Sequence, residues 1–257
     1  MKPPEREAKV LQVLLALDAA CHNVDALETA ISLASQLRAE LIGLFIEDLD
    51  LLRSANLPFA REINAGSGEE RSITGNYIAR ALRAWTSQIQ TQLTKQAQKA
   101  NIKCTFRTVH SRRIEALLSE TNDSNLLIIS HTRQQSVAPL SKSDVVYLLF
   151  DGSPEAHHGV AIVAELALKG LKHIVLIDAC GENVEYSAKK AADWLSRHGA
   201  HVLIQKLQAD PNKSLPPLLK KYPAALLLAP AHFPERHTPG TLVKLQNKLN
   251  CPVVIVS

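Results

Sequence analysis

The residues best placed to do chemistry lie at the ends of apolar runs. The segment Ala229–Ser257, "APAHFPERHTPGTLVKLQNKLNCPVVIVS", passes from a strand through a loop to Gly240–Thr241, a helix and a last strand. A helix N-terminus has unpaired N–H donors and a positive dipole end, which favour an anion. The triplet Asp151-Gly152-Ser153 follows another apolar run, and Asp18 occupies the matching point earlier in the chain. Two readings fit these residues: an anion-binding crevice, or turns followed by helix N-caps.

Other clusters are less ordered. His157–His158 and His232/His237 lack a carboxylate or cysteine at regular ligand spacing, so they read as exposed or capping histidines. Cys21–His22 beside Asp18, and Ser130–His131, hold nucleophile and base types without a visible third member. Nothing resembles a nucleophile elbow or a paired-carboxylate site, so no catalytic residue and no metal ligand is assigned. Cys21, Cys104, Cys180 and Cys251 are widely spaced with no CxxC, which reads as reduced thiols in a cytoplasmic protein.

The elements that must position these residues occur twice. Val10–Asp48 and Val145–Asp178 each read as an apolar strand ending in Asp, a small-residue turn, an amphipathic helix and a second strand ending in acid. Leu27, Ala30, Ile31, Ala34 and Leu37 share one helical face, as do Val160, Ala161, Ala164 and Leu168. Each half then continues with helix, strand, short helix and strand. Ser72–Ala100 reads as a long helix with Ile73, Tyr77, Ala81, Trp85, Ile89 and Leu93 as its buried stripe, and Phe59–Gly75 as a mobile loop. Near-continuous apolar strands alternating with helices predict parallel sheets covered on both faces. The expected fold is α/β, with two doubly wound domains in tandem, 1–144 and 145–257. Ser130–Val145 is too short and polar for a helix plus strand. The first domain therefore lacks its last strand, or Val145–Phe150 is shared between sheets.

In such a sheet ligands bind beyond the carboxyl ends of strands, where the winding order reverses. A reversal after each second crossover would set first and fourth strands side by side. Asp151 and the Ala229–Gly240 loop would then face one crevice.

Composition narrows the partners. The net charge of +4 is scattered, with basic pairs interleaved with acids, so no nucleic-acid footprint is expected. No apolar run is long enough to span a bilayer, and the first ten residues have no signal-peptide core.

"LLALDAACHNVDALETAISLASQLRAELIGLFIED", "LLFDGSPEAHHGVAIVAELA" and "PGTLVKLQNKLNCPVVIVS" resemble the opening strand, Asp-Gly-Ser turn and closing Gly-Ser/Thr, helix and Cys-Pro strand of the universal stress protein family. The resemblance touches both halves and most of the chain. It implies tandem adenine nucleotide alpha hydrolase-like domains of five parallel strands, in a family with one ATP-binding branch and one that does not bind ATP. It places Asp151, Gly152 and Ser153 near an adenosine, the backbone of Ile177 against adenine, and Gly240 and Thr241 at the last phosphate position. The ATP branch's motif is Gly, two residues, Gly, nine residues, then Gly with Ser or Thr. Here Leu227 and Pro230 occupy the first two glycine positions, and Pro230, Pro234 and Pro239 each remove an N–H donor. The first half has no glycine between Gly75 and Gly152. The expectation is thus a non-enzymatic stress-response protein with a degenerate nucleotide site, alternatively an ATP or AMP sensor, and least favoured an enzyme of hydrolase or adenylyl-transfer type. The resemblance also implies that "PVVIVS", read as an exposed edge strand, pairs subunits into a homodimer or pairs the two halves, with a further protein partner left unnamed.

Overall fold

The computed structural model describes residues 11–18, 24–48, 53, 57, 59–63, 66–72, 75–111, 125–129, 144–180, 188–207, 211–221, 224–233 and 251–257. In chain order the first half comprises β1 (Gln12–Asp18), α1 (Val24–Leu37), β2 (Glu40–Asp48), β3 (Arg61–Ile63), β4 (Glu70–Ser72), α2 (Gly75–Lys99), β5 (Cys104–Ser111) and β6 (Asn125–Ile129). The second comprises β7 (Val145–Phe150), α3 (Pro154–Leu168), β8 (His173–Asp178), α4 (Ala188–Arg197), β9 (His201–Lys206), α5 (Pro211–Lys221), β10 (Ala224–Pro230) and β11 (Val253–Val256).

Among the described residues, nine strands form one sheet, ordered β5-β2-β1-β6-β11-β10-β7-β8-β9. The α/β expectation holds. The winding reverses where expected, with β1 beside β6 and β7 beside β10, all parallel. One neighbour pair runs the other way: β11 lies antiparallel to β6, with Val254 opposite Ile128 and Ile255 opposite Leu127. Strands of the two halves therefore point in opposite directions. Their carboxyl ends, and any crevices there, lie at opposite ends of the sheet.

This overturns the reading of "PVVIVS" as an exposed edge. Val253–Val256 sit in the middle of the sheet and are buried throughout. The sheet edges are β5 and β9 instead. The physical reason is the open side of β6, which offers unpaired N–H and C=O groups. A strand of four β-branched residues is suited to burial on both faces. Each such side chain contributes about 1.5–3 kcal/mol on burial.

The two sheet faces build separate cores. One unites β1, β2, β7 and β8 side chains with α1, α2, α3 and α4. The other gathers the opposite side chains, among them Ile42, Tyr147 and Ile255, with Leu215 and Leu219 of α5 and with Phe233 and Cys251. Helices on both faces make the sheet doubly wound.

Some periodicity readings shift. In α1 the expected face is the buried one, with only Ile31 partly covered. In α2, Tyr77 and Ala81 are exposed, and the inward row is Ile78, Leu82, Trp85, Ile89, Leu93 and Ala97. A strict four-residue step drifts around a helix of 3.6 residues per turn, and the three-residue step from Leu82 to Trp85 puts Leu82 and Ile78 inward in place of Ala81 and Tyr77. In α3, Ala161 and Leu168 are exposed, while Gly159, Ile162, Val163 and Leu166 are buried. The segment read as a mobile loop contains the antiparallel hairpin β3–β4, with Arg61 opposite Ser72 and Gly68 at φ 71° between the strands.

Candidate functional site

The carboxyl ends of β7, β8 and β10, where a crevice is expected at the winding reversal, carry the predicted residues that the structure describes. Asp151 follows β7 and is buried. Its Oδ1 accepts from the Ser153 amide at 3.0 Å. Gly152 takes φ 80°, a left-handed conformation that favours glycine. Ser153 is the N-cap of α3, its hydroxyl accepting from the Ala156 amide at 3.2 Å, and Pro154 supplies the preset first helical residue. The run Asp-Gly-Ser-Pro thus specifies a side-chain-braced turn and a capped helix start. Asp151 and Ser153 both spend hydrogen bonds on local structure.

Ile177 is fully buried within β8, opposite Leu149 on one side and Gln205 on the other. The first residues beyond the paired strand are Ala179 and Cys180. The Ala179 amide donates to the Phe150 carbonyl at 2.8 Å. Gly240, Thr241 and His237 lie outside the described residues, as do Cys21–His22 and Ser130–His131.

Two groups complete the crevice that sequence reading did not assign to it. Asp178 ends β8, and its Oδ1 accepts from the Cys180 amide at 3.0 Å. The Cys180 thiol donates to the Phe150 carbonyl. Burial, then the charges of Asp178 and Asp151, push that thiol up to about 11. It is held as a thiol, unsuited to nucleophilic attack near neutral pH. The signal was partly present: Asp178 ends its strand in acid, as Asp151 immediately follows β7.

The exit of β10 is closed. Pro230 lies opposite Val256 and has no N–H to offer. The next amide, Ala231, donates to the Val256 carbonyl at 2.9 Å. Phe233 turns into the core on the α5 face. Beyond them His232 Nε2 stands 3.5 Å from the Glu155 carboxylate in the first turn of α3. The chain thus sets its own carboxylate at the dipole end of that helix, a position that favours an anion. A phosphate cradle needs several convergent N–H donors; the start of this loop supplies none from Pro230 and has already engaged that of Ala231.

His157 and His158 have structural partners. His157 packs edge-on against Phe150, with ring centroids 5.2 Å apart. His158 Nδ1 donates to the Ser257 backbone oxygen at 3.0 Å. Among the described residues no group of three or more His, Cys, Asp or Glu side chains could hold a metal ion. No described helix is long and apolar enough to cross a membrane.

No family model and no curated protein matches the chain. Solved structures do. A universal stress protein from Archaeoglobus fulgidus matches with a TM-score of 0.61 at 13% identity, over 96% of each chain. A universal stress protein family member from Burkholderia pseudomallei matches 46% of this chain and 98% of its own, with a TM-score of 0.34 at 17% identity. A universal stress protein in complex with cAMP matches 44% of this chain and 96% of its own, with a TM-score of 0.35 at 18% identity. The first of these, with the observed strand order, shows that the chain has the α/β fold of a universal stress protein.

Proposed function

We propose that the protein is a non-enzymatic, cytoplasmic binding or regulatory module of the universal stress protein type, acting in stress response. In this reading residues 1–144 and 145–257 are two tandem domains, joined edge to edge where β6 meets β11. That junction occupies the side of β11 through which a separate subunit would otherwise pair. Its output is a protein partner rather than a reaction product or a nucleic acid.

The observation that carries the reading is the closed exit of β10. Pro230 has no N–H, the Ala231 amide is bound to Val256, and Glu155 fills the anion-favouring position nearby. The second-domain crevice is then a nucleotide site that has lost its phosphate grip. A second reading, an ATP or AMP sensor, draws on the buried Asp151 beside Gly152 at the winding reversal, where an adenosine would sit. In that reading Ser153, Ile177, Gly240 and Thr241 would complete the site. A third reading, a hydrolase or adenylyl-transfer enzyme, gains no nucleophile from Cys180, whose thiol is raised by burial and by Asp178 and Asp151.

The test is direct. Protein purified without added nucleotide is denatured and the supernatant assayed, and native protein is titrated with ATP–Mg²⁺ or AMP by calorimetry. An empty protein with no heat up to millimolar ligand is expected. Stoichiometric nucleotide, or micromolar binding weakened by Asp151→Ala or Thr241→Ala, would replace the first reading with the sensor.

A further inference from the structure

At the other end of β8 and β9, two imidazoles stand side by side. His173 opens β8 and His201 opens β9, and the parallel register sets them opposite one another. Neighbouring strands lie about 4.8 Å apart, and residues in register leave the same face. The ring centroids are 5.7 Å apart and the planes differ by 31°. Both residues are exposed. The backbone beneath them is fixed: the His201 amide donates to the Lys172 carbonyl at 2.7 Å, and β7 holds β8 from the far side.

A neutral imidazole offers one nitrogen lone pair to a metal at about 2.0–2.1 Å. At the observed separation, rotation of two exposed side chains brings one nitrogen from each ring to a shared ion. Among the described residues, the sheet positions nearest the pair supply no further donor. The same row continues to Val145, and the next row on this face holds Tyr147, Val175 and Leu203, with the Tyr147 hydroxyl donating to the Leu218 carbonyl. The described residues therefore offer two adjacent nitrogens, leaving the other positions to water. That set suits a nitrogen-seeking ion in tetragonal geometry, and the affinity order of first-row ions puts Cu²⁺ above Zn²⁺ and Ni²⁺. Mg²⁺ and Ca²⁺ call for oxygen donors.

We propose that His173 and His201 form a surface site for a divalent transition metal, Cu²⁺ best, which clips the edge strand β9 to β8. The site is distinct from the crevice of Asp151, at the opposite ends of the same strands.

Metal-free protein is titrated with CuCl₂ in a non-coordinating buffer near pH 7.5, and the loaded protein is examined by electron paramagnetic resonance. One micromolar site with two equatorial nitrogens is expected, binding Zn²⁺ more weakly and Mg²⁺ not at all. His173→Gln and His201→Gln, both at exposed positions, should each weaken Cu²⁺ at least tenfold. A site of unchanged affinity in the double variant would assign the metal to other histidines and overturn the proposal. So would a spectrum with a single nitrogen, or no micromolar site.

Discussion

Gly43 of β2 and Leu93 of α2 meet without room for a methyl group between them. A Cβ on residue 43 would stand 2.5 Å from Leu93 Cδ2 and 2.8 Å from Phe106 Cδ2. The close approach lets α2 lie down on β2 and β5. Gly43→Ala should therefore destabilise the protein by about 1–3 kcal/mol, the usual cost of overpacking a filled core. Urea unfolding would read it as a lower midpoint with an unchanged slope. Gly43→Ala combined with Leu93→Ala should recover part of the loss relative to the sum of the single changes.

Thr29 gives the opposite sign. Its hydroxyl is fully buried in α1 and lacks a hydrogen-bond partner. A buried unsatisfied polar group costs about 1–3 kcal/mol, and valine has the same shape without it. Helix propensity barely separates the two residues. Thr29→Val should raise the thermal midpoint, and a fall would show that the hydroxyl is satisfied.

Ser153→Ala tests the start of α3. Losing an N-cap oxygen costs about 1 kcal/mol. The same change leaves Asp151 in place. If the crevice is a relic, Ser153→Ala alters the urea midpoint and leaves ligand titrations as they were.

Cys251 sets a pH dependence. Burial pushes its thiol from the ordinary 9.0 up to about 12. Below pH 9 the thiol is neutral in both folded and unfolded chains, so it contributes nothing that varies with pH. As pH rises from 9 toward 12 the unfolded chain releases the proton and the folded one does not, so stability falls. Urea midpoints at pH 8 and pH 10.5 should diverge more for the wild type than for Cys251→Ala. Native Cys251 should also resist alkylation until the protein unfolds.

How much of this was legible follows from the range of each interaction. The helix face of Leu27, Ala30, Ala34 and Leu37 is local, and periodicity found it. The neighbours β1–β6 and β7–β10 followed from the alternation of strands and helices once a reversal of winding after each second crossover was assumed. The stripe of α2 went partly astray because a four-residue step taken back from Trp85 through Ala81 to Tyr77 drifts off the buried side, while Ile73 lies outside the described residues. The place of β11 was not local at all: "VVIV" states that the strand is buried, but not that β6 lies on its other side. In the crevice, Asp151 and Ser153 were visible as a turn. The approach of Cys180 to Asp178 and Asp151, and of His232 to Glu155, joins separate chain segments and has no sequence period. The pairing of His173 with His201 likewise depends on strand register.

The central position of β11 also bears on how the chain is made. β6 is synthesised long before β11, and until Val253–Val256 arrive its outer side is an unpaired apolar edge. The first half must therefore wait through the whole synthesis of the second with a strand exposed that could template aggregation. Closing the middle of the sheet last also joins residues far apart in sequence, a pairing that slows folding. A chaperone that shields β6 during translation would cover the interval before β11 arrives.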